Sequence, residues 1–178
     1  MAITATFAVI IGTALTTTNM AWAADITCTR GPVTPNPCTG TNDPDNMKGT
    51  SDDDAMSGLD GDDSMNGFAG NDQMFGGRGD DTMSGGSGHD FMLGREGDDN
   101  INGDSGDDTI LGFRGADILK GSSGNDRIFH DFLRFPVEPD GSKDSIDCGS
   151  GNDEAWINVS QDGDTAVNCE ILHTDLNP

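Results

Sequence analysis

The sequence predicts an all-β fold, a solenoid of short parallel strands wound into two sheets, on three observations. Ten consecutive nine-residue units run without a gap from Gly40 to Phe129, each opening on glycine. The sixth place is Asp in every unit (Asp45, Asp54, Asp63, Asp72, Asp81, Asp90, Asp99, Asp108, Asp117, Asp126), and the eighth is always apolar (Met47, Met56, Met65, Met74, Met83, Met92, Ile101, Ile110, Leu119, Ile128). The third observation is compositional: of 178 residues only 33% are hydrophobic, tyrosine is absent and the net charge is -23, which excludes an ordinary core. A unit this short cannot bury a core alone and has to stack on its neighbours. High charge with low hydropathy would by itself read as disorder, but a solvated acidic tail has no reason to place an apolar residue at every ninth position.

Residues 1–23 differ from the rest. Ala2 to Ala21 carries no charge, has an apolar stretch around Phe7 to Leu15 and leads into the small-x-small triplet Ala21, Trp22, Ala23. This predicts a secretory signal peptide cut before Ala24, and so a secreted, extracellular protein. The absence of Lys or Arg near Met1 leaves room for a leader that starts further upstream. Gly12 and the run Thr16, Thr17, Thr18 keep the apolar stretch short of the ~20 residues that a membrane span needs.

Residues 24–39 form an N-terminal cap segment with Cys28 and Cys38, and residues 130–178 a C-terminal cap with Cys148 and Cys169. In an exported chain an even cysteine count suggests disulfides, and three pairings are open. Cys28 with Cys38 and Cys148 with Cys169 is favoured, because partners on one side of the array close no loop around it. Zinc is the other reading, although spacings of ten and twenty-one residues resemble no zinc knuckle.

Within the array, 40–129, the unit Gly76, Gly77, Arg78, Gly79, Asp80, Asp81, Thr82, Met83, Ser84 serves as the type. Its first six residues read as a turn rich in backbone-permissive glycine, and its last three as a minimal strand with one side chain inward and two outward. Two units make one coil, so coils stacked at ~4.8 Å bring the Asp of every second unit into a column along each edge. The array holds 20 acidic and 6 basic residues, a charge that suits neither nucleic acid nor an anionic membrane, whereas a cation or a mineral face is compatible. Clustered carboxylates beside glycine-exposed carbonyls are the oxygen ligands that Ca²⁺ takes in irregular six-to-eight coordination; Mg²⁺ demands a tighter octahedron.

The motif Gly-Gly-x-Gly-x-Asp-x-apolar-x resembles the nonapeptide of the calcium-binding repeats-in-toxin (RTX) family over half the chain, in its small secreted form. The resemblance implies a right-handed parallel β-roll, with a disulfide-pinned C-terminal cap following it. It also implies that each Ca²⁺ lies between one loop and the loop two units on. One site would use the carbonyls of Gly76 and Arg78 with Asp81, then the carbonyls of Arg95 and Gly97 with Asp99. Arg95 stands where the family usually has Gly, which is harmless if only its carbonyl is used. Carried along the array, the ligand positions are Gly58, Asp60, Gly61 and Asp63; Gly67, Gly70 and Asp72; Gly76, Gly77, Arg78, Gly79 and Asp81; Gly85, Gly86, Gly88 and Asp90. They continue with Gly94, Arg95, Gly97 and Asp99; Gly103, Gly106 and Asp108; Gly112, Gly115 and Asp117; Gly124 and Asp126. Eight units with glycine at place four give six sites. The first two units, where Asp43 and Asp52 replace that glycine, would raise the number of ions to eight. Ala116 leaves Asp117 without the usual acidic or amide neighbour, a slight weakening.

Ten inward side chains are too few to offset the ordering of ninety residues and the repulsion among carboxylates, so the metal-free array is expected to be largely unfolded and to fold on binding calcium. The six methionines at place eight read as gap-filling core.

After Phe129 the period breaks. Phe132, Leu133, Phe135 and Val137 form an apolar cluster expected to cover the open end of the roll, and degenerate units return around Asp144, Asp153 and Asp164. Asp153 is a further candidate calcium ligand. His89, His130 and His173 read as isolated, and no His-Glu-x-x-His motif is present, so no enzyme is predicted. Arg78-Gly79-Asp80 resembles an integrin-binding tripeptide but is dictated by the repeat, and Asn158-Val-Ser160 is a glycosylation acceptor by pattern alone. The expected partner is calcium. Extracellular polysaccharide, mineral or cell envelope is the alternative partner for an adhesive spacer, and a calcium-dependent enzyme is a third reading.

Overall fold

The computed structural model describes residues 24–28, 38–130, 141–157 and 163–174. The leader, the apolar cluster Phe132 to Val137 and the Asn158–Ser160 acceptor lie outside them. Sixteen strands follow one another: β1 (Ala24–Thr27), β2 (Cys38–Thr39), β3 (Asp45–Lys48), β4 (Ala55–Asp60), β5 (Ser64–Ala69), β6 (Gln73–Arg78), β7 (Thr82–Ser87) and β8 (Phe91–Glu96). The second half has β9 (Asn100–Ser105), β10 (Thr109–Arg114), β11 (Ile118–Ser123), β12 (Arg127–Phe129), β13 (Ser145–Ser150), β14 (Glu154–Ile157), β15 (Thr165–Val167) and β16 (Ile171–Thr174). Odd strands form one eight-stranded sheet and even strands the other, with every pairing parallel. The predicted all-β parallel solenoid is the fold.

The register shows why a nine-residue period does this. Place eight of one unit pairs with place eight two units on, so Met47, Met65, Met83, Ile101, Leu119 and Ile146 form one inward ladder. Met56, Met74, Met92, Ile110, Ile128 and Ala155 form the other. All twelve are buried and share one cluster, in which the unbranched methionines fill space between the two sheets.

The strands are longer than the sequence predicts. In the regular part each has six residues, places seven to nine of one unit and one to three of the next, and the loop shrinks to three residues. The alternation continues through place one, which is buried. Glycine there faces inward without a side chain, so period-two alternation finds no apolar residue at place one to mark it as inward and misses the second half of the strand. From Leu59 onward, place two turns the corner with positive φ. Leu59, Phe68, Arg95, Asp104, Phe113 and Ser122 adopt it without being glycine.

The flanking segments continue the sheets. β1 pairs with β3 and β2 with β4, while β13 to β16 extend the far end. Cys28 bonds Cys38, and Cys148 bonds Cys169, as favoured, so the zinc reading of the cysteines falls. The four sulfurs pack against the two ends of the core. No helix among the described residues is long and apolar enough to cross a membrane.

Candidate metal centre

Two columns of aspartates run along the edges where the chain passes from sheet to sheet. One comprises Asp45, Asp63, Asp81, Asp99, Asp117, Asp144 and Asp164, and the other Asp54, Asp72, Asp90, Asp108, Asp126 and Asp153. The fully repeated loops hold their place-six side chains 1 to 2% exposed. Each carboxylate uses Oδ1 to accept the backbone N–H of the column member before it: Asp63 N–H to Asp81 at 2.8 Å, Asp81 to Asp99 at 2.9 Å, Asp72 to Asp90 at 2.8 Å, Asp90 to Asp108 at 2.8 Å, Asp108 to Asp126 at 2.9 Å. The column is thus a ladder in which each Asp carboxylate holds the loop before it.

The second oxygen is the telling one. Oδ2 of Asp63, Asp72, Asp81, Asp90, Asp99, Asp108, Asp126 and Asp153 is buried and accepts no hydrogen bond. Except in Asp153, whose unit opens on Cys148, it lies against the place-one glycine of its own unit: a Cβ on Gly58 would meet Asp63 Oδ2 and, at 2.7 Å, the Gly76 carbonyl oxygen. Carboxylate and carbonyl oxygens face the same space with no donor between them. Burying such groups unpaired is costly, and a cation coordinated by oxygen removes the cost.

The electrostatics agree. Desolvation, reinforced by neighbouring carboxylates and offset by the backbone hydrogen bond, pushes Asp63, Asp72 and Asp126 up to about 6, Asp81 and Asp99 to about 7, and Asp108 to about 8. Burial also raises Asp90 and Asp153. Side chains this reluctant to ionise in a metal-free fold are suited to a divalent ion, whose charge reverses the preference.

Place four needs glycine for a different reason. Gly61, Gly70, Gly79, Gly88, Gly97, Gly106, Gly115 and Gly124 all have φ between 115° and 140°. A Cβ there would strike the loop two units earlier, as Gly106 would strike the Gly88 carbonyl. Asp43 and Asp52, which replace this glycine, do not take the positive-φ conformation. Their loops close instead on threonine: Thr41 N–H donates to Asp45 Oδ2 at 2.6 Å and Thr50 N–H to Asp54 Oδ2 at 2.6 Å, with each hydroxyl adding a second bond. The oxygen that is bare in the later loops already has donors in the first two.

The structure brings the predicted positions together two units apart along each edge. The place-three carbonyl of Arg78 accepts the Gly61 N–H at 2.7 Å, leaving one lone pair for a cation. The Arg78 side chain pairs on the surface with Glu96 at 3.3 Å and Asp60 at 4.0 Å, which accounts for the Arg-Gly-Asp tripeptide structurally. The Asp60 side chain thus stands on the surface, outside the Asp columns. Place five carries a second ladder that sequence reasoning missed. Asp80 N–H donates to Asp62, Asp98 N–H to Asp80 and Ala116 N–H to Asp98, all at 2.8 to 3.0 Å, so Ala116 loses only its ability to accept from the next loop. The signal was visible as the Asp, Asn and His at that place.

The histidines are not isolated, contrary to the sequence reading. His89 Nδ1 accepts the Asp107 N–H at 3.0 Å within the place-five ladder. His173 stacks on Trp156, and His130 is buried beside Asp144 and Asp164. Their neighbours come from other coils, beyond the reach of local motifs.

A parallel β-solenoid whose edge loops stack buried carboxylates, with their second oxygens turned to backbone carbonyls, defines a calcium-binding repeat protein. The family comparison agrees: residues 39–128 match the RTX calcium-binding nonapeptide repeat in overlapping segments, 39–73, 48–83, 57–92, 66–101 and 93–128. The chain belongs to the RTX calcium-binding nonapeptide repeat family. A search of curated proteins found no match.

Proposed function

We propose that this calcium-binding repeat protein is exported and folds when it meets calcium outside the cell, without a catalytic step. The columns of buried Asp Oδ2 atoms carry the reading, since their desolvation and mutual repulsion oppose folding until a cation lies among them. The leader-like residues 1–23 and the paired cysteines support export. Six ions follow from pairing the loops from Gly58 onward. The threonine-closed loops around Asp45 and Asp54 support the lower end of the range from six to eight. With affinities typical of extracellular modules, ~10⁻⁴ to 10⁻³ M, the protein remains extended at cytosolic calcium and folds after export.

The test is a calcium titration of the chain followed by far-ultraviolet circular dichroism, with magnesium as control. A steep coil-to-β transition specific to calcium is expected. β-structure already complete in excess chelator at neutral pH would refute calcium-driven folding.

Adhesion to polysaccharide ranks second. One sheet does carry an apolar outer row, but Phe129, Trp156 and His173 stack face to face at 4.3 and 4.4 Å. Those rings cover one another's faces, the surfaces on which a sugar would stack.

A further inference from the structure

At the C-terminal end the repeat is broken in a specific way. His130 stands at place one of what would be the eleventh unit, where all ten earlier units carry glycine. In those units the space of a place-one Cβ is taken by the place-six Asp of the same unit. Here the equivalent Asp is Asp144, nine residues later than the period requires, and the register steps from 18 to 27 residues between β11 and β13. The His130 imidazole points at the column, with Nδ1 4.0 Å from Asp144 Oδ2 and 3.6 Å from Asp164 Oδ2.

All three residues are buried, with His130 7%, Asp144 2% and Asp164 3% exposed. Each carboxylate is oriented by its other oxygen: Asp144 Oδ1 accepts the Asp117 N–H at 2.8 Å, and Asp164 Oδ1 accepts the Asp144 N–H at 3.0 Å. The histidine backbone is held as well, its N–H donating to the Trp156 carbonyl at 3.2 Å and its carbonyl accepting the Phe113 N–H at 2.6 Å. One ligand atom from each residue lies within 4.8 Å of the other two. The nitrogen is too far from either oxygen for a hydrogen bond, which requires about 2.7 to 3.2 Å. Donors around one tetrahedral ion with bonds of about 2.0 to 2.2 Å lie about 3.3 to 3.6 Å apart, so the His130–Asp164 pair has the spacing already and the His130–Asp144 pair has to close by about half an ångström.

We propose that His130, Asp144 and Asp164 form a first-row transition-metal site, best suited to Zn²⁺, separate in chemistry from the calcium loops. Calcium takes oxygen ligands, whereas imidazole with carboxylates is a donor set for zinc and its neighbours. Three protein ligands leave a coordination position for water. His130 follows β12 of the even sheet, while Asp144 and Asp164 precede β13 and β15 of the odd sheet. The ion therefore clips the two sheets together where the chain leaves its regular period. Its role is to lock the end of the roll.

The test is a Zn²⁺ titration by calorimetry of the full chain, folded in saturating calcium. One Zn²⁺ per chain should bind with calcium present in ~1000-fold excess, and thermal unfolding should move to higher temperature. His130→Gly restores the residue that place one carries in the ten other units, so it keeps the roll, checked by circular dichroism in calcium. It should weaken this equivalent at least ~100-fold. Asp164→Asn should do the same and serves as a second variant should the first misfold. Absence of zinc binding to the wild-type chain would overturn the site. Equal binding by both folded variants, or displacement by calcium, would overturn it too. The calcium-driven dichroism transition is read separately, so failure of the zinc site leaves the calcium reading to stand or fall by itself.

Discussion

Protons should partly replace calcium in the Asp columns. In the metal-free fold burial holds Asp81 and Asp99 at about 7 and Asp108 at about 8, against an ordinary 3.8. A group with a raised folded-state value binds its proton more tightly when folded. Its stabilisation is complete below 3.8 and is lost as pH rises through 6 to 8. Between pH 8 and pH 5 a carboxylate at about 7 contributes roughly 2 to 3 kcal/mol at 1.36 kcal/mol per tenfold change, and about 1 kcal/mol once solvent screening at the loop edge is allowed for. Over the six carboxylates with values of about 6 to 8 this is of the order of a small domain's whole stability. The columns are coupled, so the protons enter over a broad window. Chelator-treated protein followed by circular dichroism from pH 8 to pH 5 should therefore gain β-structure as pH falls. Calcium affinity should fall over the same window, because protons and calcium compete for the same oxygens. A metal-free spectrum that stays coil-like down to pH 5, or calcium affinity that rises on acidification, would refute the burial argument.

Asp99→Asn keeps an oxygen to accept the Asp81 N–H but removes a charge in the middle of a column. It should raise the calcium midpoint severalfold and flatten the transition, measured by dichroism titration. Met74→Ala opens a cavity at a fully buried position and should cost about 2 to 5 kcal/mol in urea unfolding with calcium present. Gly76→Ala puts a methyl group onto Asp81 Oδ2 and should abolish the nearby calcium site, lowering the stoichiometry found by calorimetry. Phe68→Gly acts in the opposite direction: Phe68 sits at φ 72° with its ring half exposed, so glycine should raise the thermal midpoint by an amount equivalent to about 1 kcal/mol.

The unbroken period by itself decides most of the architecture. Place-eight residues could pair only with their like two units away, so the inward ladders, the two sheets and the Asp columns followed from spacing alone. The carboxylates' partner was legible for the same reason, since stacked acids beside glycine carbonyls require a cation. Tertiary structure alone decided what depends on contacts between coils. Place one is glycine because an Asp oxygen occupies the position of its Cβ, and the strand therefore runs six residues where alternation suggested three. Threonine closes the first two loops in a way that the Asp43 and Asp52 substitutions did not announce. His130, Asp144 and Asp164 meet because a nine-residue insertion shifts the register to 27. A repeat makes its own neighbours predictable, but where it is interrupted only the folded chain shows which residues become adjacent.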